Sequence, residues 1–191
     1  MPLTEAAKEE MLHELLERLE SKDSDLTDIC IAVNWSTRLH RSFHWLINTA
    51  FRTENVTTLF KLRYFIIELH NQTQQSYQSF IASLLDQDHL ITYCGQLMAR
   101  DQLELLKNNI GGFVLINSFL STTRLLNVAR TYAGNGSAFS AFESIILEID
   151  IDVKRAMKTF SSLNAEDKDE ILFSIGCVSK IRDVKLIKAH V

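Results

Sequence analysis

The hydrophobic period of this chain changes near residue 90, and that change decides which folds are open to it. Upstream, Met11, Leu12, Leu15, Leu16 and Leu19 recur at helical spacing, with acids and bases on the other face. A second apolar stripe runs through Leu39, Phe43, Leu46, Ile47, Ala50 and Phe51. A third includes Leu59, Leu62, Ile66 and Leu69 and continues over Tyr77, Phe80, Ile81, Leu84 and Leu85. The only proline is Pro2, so nothing in this half forces a break. Polar connectors at Ser21–Asp25 and Thr53–Thr57 divide it into three or four helices.

Downstream of residue 90 the period shortens. Leu147, Ile149, Ile151 and Val153 alternate with Glu148, Asp150 and Asp152, the pattern of a half-buried strand. Ile171–Ile175 and Val178–Ile187 read as two more strands, joined at Gly176 in a hairpin-like turn. Leu90–Tyr93 and Phe113–Ile116 are shorter strand candidates. Asp101–Asn109 and Arg124–Tyr132 read as helices, the first ending at Gly111-Gly112. Helices first and strands later predict an α+β fold, not a parallel βαβ sheet.

At 191 residues the chain is expected to form one domain with a helical extension: 1–30 as the extension, 31–191 as the domain, with a helical part (31–89) and a β core (90–191). A formal net charge of −4 argues against a nucleic-acid binder, which normally carries a basic face. Met1–Lys8 contains no apolar signal region, and no apolar stretch approaches the roughly 20 residues of a membrane span. The three cysteines, Cys30, Cys94 and Cys177, are odd in number and lack Cys-x-x-Cys spacing, which fits reduced thiols in a cytoplasmic protein.

Several constellations could carry chemistry. Ser121-Thr122-Thr123 stands at a strand-to-helix junction, where Thr122 or Thr123 is suited to cap a helix starting near Arg124. A serine hydroxyl at such a strand end can equally hydrogen-bond a ribose or steady a carboxylate. The charged segment Glu166-Asp167-Lys168-Asp169-Glu170 runs into the apolar strand Ile171-Leu172-Phe173. It reads as a solvated loop, yet Glu170 at its edge could accept a ribose hydroxyl and stabilise an oxocarbenium-like transition state. His40 and His44 share a helix face, but no Glu lies between them and no third ligand is evident, so no metal is expected. Cys94 with His89 allows a thiol nucleophile, against the alternative of an inert buried thiol. Gly111-Gly112 is not followed by Lys-Ser or Lys-Thr, which excludes a phosphate-binding P-loop.

The linear order of three segments resembles a mono-ADP-ribosyltransferase of the R-S-E type, the arginine-specific transferases, and within them the invertebrate branch. The carrying residues are Tyr93-Cys94-Gly95-Gln96-Leu97-Met98, then Asn117-Ser118-Phe119-Leu120-Ser121-Thr122-Thr123, then Glu170-Ile171-Leu172-Phe173-Ser174-Ile175-Gly176. The likeness runs from about Trp35 to Val184. It implies a mixed, mostly antiparallel split β-sheet that binds NAD (or NADP) as substrate, needs no metal, and transfers ADP-ribose to a protein arginine with release of nicotinamide. By the same resemblance Glu170 is the catalytic glutamate, Ser121 supports the ribose, and Gly95 lies near the nicotinamide amide. Tyr93 or Phe119 would form an apolar wall for nicotinamide, with Thr122 and Thr123 completing the hydroxyl motif. The implied partners are NAD and a protein acceptor, with no nucleic acid and no membrane.

Two positions depart from the family pattern. Cys94 stands where the family has an arginine on the first strand, and a neutral thiol cannot offer a phosphate the forked hydrogen bonds of a guanidinium. Losing such a contact costs about 2–4 kcal/mol, or roughly 30- to 1000-fold in affinity or rate. Lys168 replaces the glutamate that directs attack by the acceptor, and a cation there repels a guanidinium. These departures leave a catalytically impaired NAD-binding module, or an NAD glycohydrolase, as alternatives to a transferase. Arg100, Arg124 and Arg130 are the candidate replacement phosphate ligands.

Overall fold

Four helices precede the first strand in a computed structural model that describes residues 4–19, 40–84, 86–134, 142–155, 160–162 and 169–185. They are α1 (Glu5–Leu19), α2 (His40–Arg52), α3 (Val56–Lys61) and α4 (Arg63–Ser83). Then follow β1 (His89–Ala99), α5 (Arg100–Asn108), β2 (Phe113–Ile116), β3 (Leu120–Thr123), α6 (Leu126–Tyr132), β4 (Phe142–Asp152), β5 (Phe160–Ser161), β6 (Glu170–Phe173) and β7 (Cys177–Lys180). The architecture is α+β, as the change of period predicts.

The third apolar stripe belongs to two helices, not one. Leu62 closes α3 by donating its N–H to the Thr58 carbonyl (2.9 Å) and opens α4 by accepting from the Ile66 N–H (3.1 Å). Leu62 keeps helical spacing and is fully buried, so the periodicity passes through the break unmarked. Asn55 starts α3 by accepting the Thr58 N–H at 3.0 Å, which satisfies one of the donors a helix start leaves open.

The strands form two sheets, a five-stranded one in the order β4-β1-β3-β6-β5 and a two-stranded ribbon of β2 and β7. Every pairing is antiparallel. The strand expected at Leu90–Tyr93 continues to Ala99, because β4 supplies a partner for every residue from His89↔Asp152 to Ala99↔Phe142. On its other side β1 meets β3 only at Tyr93↔Thr123. The expected hairpin at Gly176 is not formed: β6 and β7 lie in different sheets. Gly176 instead takes φ 78° in the turn that carries the chain from one sheet to the other. The strand expected over Val178–Ile187 ends at Lys180, where Ile181 bonds to the backbone of Gly111 and Gly112 in place of a ladder; residues 186 and 187 lie outside the described residues.

Two apolar clusters hold these pieces. One gathers Met11, Leu46, Ile47, Leu62, Phe65 and Leu69 from the helices with Phe119 and Leu172 from the strand region. The other joins Leu84, Leu90, Ile151 and Val153 to Phe160, Ile171, Phe173 and Cys177. Strand β6 thus gives Leu172 to one cluster and its neighbours Ile171 and Phe173 to the other. Burial on both faces is why this strand reads as an unbroken apolar run. Phe160 meets the rings of Tyr77 and Phe80 edge-on at 5.5 and 6.1 Å and stacks on Phe173 at 5.4 Å. Helix α1 packs on this body through Met11, with an Arg63–Glu10 ion pair at 2.6 Å beside it.

Candidate functional site

Strand pairing fixes where the polar residues of β3 and β6 meet. Ser121 pairs in register with Leu172, and Thr123 with Glu170, so Ser121 and Glu170 are diagonal neighbours. Such neighbours have Cα atoms about 7–8 Å apart, within reach of a long side chain. The Ser121 hydroxyl donates to Glu170 Oε1 at 2.7 Å in a partly buried setting. That bond holds one carboxylate oxygen, and among the described residues no hydrogen bond engages Oε2, which can accept an incoming hydroxyl.

The two threonines beside Ser121 do structural work, and neither caps a helix. The buried Thr122 hydroxyl donates to the Ile171 carbonyl at 2.9 Å, reinforcing the β3–β6 pairing. Thr123 accepts the Leu125 N–H at 3.1 Å, and the Arg124 N–H donates to the Asp169 carbonyl at 2.9 Å. The expected cap of a helix at Arg124 is therefore corrected. Helix α6 begins at Leu126, and Thr123 steadies the turn before it because the chain must first swing out of the sheet.

Residues facing each other on antiparallel strands project to the same side of the sheet, and successive residues project to opposite sides. Glu148↔Tyr93, Tyr93↔Thr123 and Thr123↔Glu170 are all register pairs, so these four residues form one row across β4, β1, β3 and β6. Alternation sends Ser121 to the same face, and Cys94 and Thr122 to the other. Cys94 is half-buried, and that burial pushes its thiol up to about 11 from an ordinary 9.0, so it is neutral at physiological pH. His89 engages Asp150 at 2.7 Å, not Cys94, which removes the thiol-nucleophile reading.

Gly95 has a packing reason of its own. A Cβ placed there would lie 1.7 Å from the Ala129 carbonyl oxygen and 2.8 Å from the Ala133 nitrogen, so α6 rests directly on the strand backbone. Phe119 is 1% exposed inside the helix-facing cluster, which corrects its expected role as a nicotinamide wall. Of the two aromatic candidates, only the partly exposed Tyr93 faces the site.

Arg100 pairs with Glu143 at 2.8 Å, beyond the far end of β1. Among the described residues no side-chain partner holds Arg124 or Arg130, and Arg124 directly follows Thr123. Glu166, Asp167 and Lys168 lie outside the described residues, as do the side chains of His40 and His44. The described residues contain no group of three or more side chains suited to holding a metal ion. Glu148, in line with Glu170, is the residue that sequence reasoning passed over, because strand alternation marks it only as facing away from the core.

No family model matches the chain, and no curated protein matches it. Among solved structures it is similar to a crystal structure of the ADP-ribosyltransferase Vis in complex with the M6 inhibitor. The identity is 13% over 98% of this chain and 70% of that chain, with a TM-score of 0.44, a likeness too slight to carry an argument about function.

Proposed function

We propose that the chain is a mono-ADP-ribosyltransferase that takes ADP-ribose from NAD and attaches it to a protein arginine. The observation that carries this reading is the Ser121–Glu170 hydrogen bond of 2.7 Å. A carboxylate oriented in this way can accept a ribose hydroxyl through Oε2 as the bond from the anomeric carbon to nicotinamide nitrogen breaks. Its charge then stabilises the developing oxocarbenium ion. The electron pair leaves with nicotinamide; a guanidine nitrogen of the acceptor bonds to the anomeric carbon and gives up a proton. Tyr93 lies in the same row as this carboxylate, two strands away across Thr123, and offers an aromatic ring on that face. The ordered resemblance of the segments around Tyr93, Ser121 and Glu170 to the arginine-specific transferases supports the same reading.

One observation favours a second reading, an NAD-binding module with impaired turnover or with water as acceptor. Cys94 is a neutral, half-buried thiol where the resembled family has its phosphate-gripping arginine, and alternation turns it from the face of Glu170. Arg124, exposed and with no side-chain partner among the described residues, is a candidate to take over that contact.

Incubation with NAD and agmatine separates the readings. Nicotinamide together with ADP-ribosyl-agmatine is the expected result. Nicotinamide alone identifies a glycohydrolase, and neither product identifies a binding module.

A further inference from the structure

The outward face of β4 presents three acids in alternation, Glu148, Asp150 and Asp152, and two of them are engaged locally. Asp150 is held by His89 at 2.7 Å and by Arg182 at 2.9 Å. Asp152 accepts the backbone N–H groups of Lys154 and Arg155, both at 3.1 Å, in the turn that ends the strand. Glu148 is exposed, and no hydrogen bond or ion pair engages it among the described residues. It is also the member of the three that lies in register with Tyr93, and through Thr123 with Glu170.

We infer that Glu148 binds the cationic acceptor of the reaction, receiving its guanidinium and aiming it across Tyr93 toward the sugar held at Ser121 and Glu170. This rests on the proposed transferase reading and adds to it the residue that selects the acceptor. Three strand spacings separate Glu148 from Glu170, about 14 Å between Cα atoms. Between them in the row stands Tyr93, an aromatic residue of the kind on which guanidinium groups stack. A carboxylate meets a guanidinium through paired charge-assisted hydrogen bonds, which set the plane of the group as well as its position. The acceptor so selected is an arginine side chain on a protein, or a small guanidine.

The test measures binding and turnover separately. Agmatine is titrated into the protein while backbone amide shifts are followed, and into Glu148→Gln and Asp152→Asn under the same conditions. Losing a bidentate charged contact should weaken agmatine binding roughly 10- to 100-fold in Glu148→Gln. Asp152→Asn should bind as wild type does. In the transfer assay Glu148→Gln should raise KM for agmatine far more than it lowers kcat. Equal agmatine affinity in wild type and Glu148→Gln, or no agmatine binding by wild type, overturns the inference. Agmatine binding that depends on Glu148 without any release of nicotinamide keeps the inference and defeats the transferase reading instead.

Discussion

Ser121 and Glu170, 49 residues apart in sequence, are joined by a 2.7 Å hydrogen bond between hydroxyl and carboxylate on adjacent strands. Neighbouring bonds prevent slippage between those strands. The Thr122 hydroxyl reaches the Ile171 carbonyl at 2.9 Å, and the Arg124 N–H reaches the Asp169 carbonyl at 2.9 Å. The carboxylate is therefore placed before any ligand arrives, which is what electrostatic stabilisation of a developing cation requires.

Glu170→Gln is expected to lower nicotinamide release by at least about 100-fold, the scale for removing a preorganised electrostatic group. Ser121→Ala, which leaves the carboxylate charged but untethered, is expected to cost about 10-fold. Release is followed by chromatography, with circular dichroism verifying that both variants fold. Undiminished release in Glu170→Gln would remove that carboxylate from the mechanism.

Gly95→Ala is expected to destabilise the fold by about 1–3 kcal/mol or more, the range for overpacking a tight interior. The added methyl would overlap the Ala129 carbonyl, and a helix backbone has little freedom to retreat. Urea denaturation reads the loss. An unchanged midpoint would mean that α6 does not sit on β1 as described.

Cys94 makes stability fall in alkali. Its folded value near 11 lies above the ordinary 9.0, so folding favours the protonated thiol. The sign follows from linkage: the contribution is fully present below pH 9 and is lost as pH rises toward 11. Denaturation midpoints of wild type and Cys94→Ala, compared across that window, should converge or cross as the wild-type thiol ionises. A constant difference would show that the thiol is not desolvated. Alkylation of Cys94 at neutral pH should also be slower than that of a free thiol, since the thiolate is the reacting form.

Phe160→Ala should cost about 3–5 kcal/mol, the usual range for emptying a buried aromatic site. The ring touches Tyr77, Phe80 and Phe173 at once and is 1% exposed. Phe160→Leu, which refills part of the volume, should cost less. A loss below about 1 kcal/mol for the alanine variant would mean that β5 contributes little to holding α4 on the sheet.

The elements themselves were legible because their signals are local. Helical stripes led to α1 through α4, and the alternation from Leu147 to Val153 led to β4. Phe113–Ile116 is a strand to the residue. Errors fell where a partner elsewhere in the chain decides the outcome. Strand β1 runs to Ala99 because β4 is there to pair with it. Gly176 turns between sheets because the partner of β7 is β2, which no local pattern announces. Thr123 gives its oxygen to Leu125 in a turn that precedes the helix, where sequence rules place a cap.

Sequence by itself determined the α+β class, the order of the segments and the chemical types at the site, since each follows from short-range periodicity or from a residue's own functional group. Tertiary structure alone decided which groups meet. Strand side chains alternate every residue, so pairing register selects the face, and a shift by one position would exchange Tyr93 for Cys94 on the face of Glu170. That register brought Ser121 to Glu170, turned Cys94 away, spent Phe119 on the core and set Glu148 in line with the carboxylate. It is fixed by long-range hydrogen bonds and by two apolar clusters on opposite sides of β6, and neither is written in any local stretch of the chain.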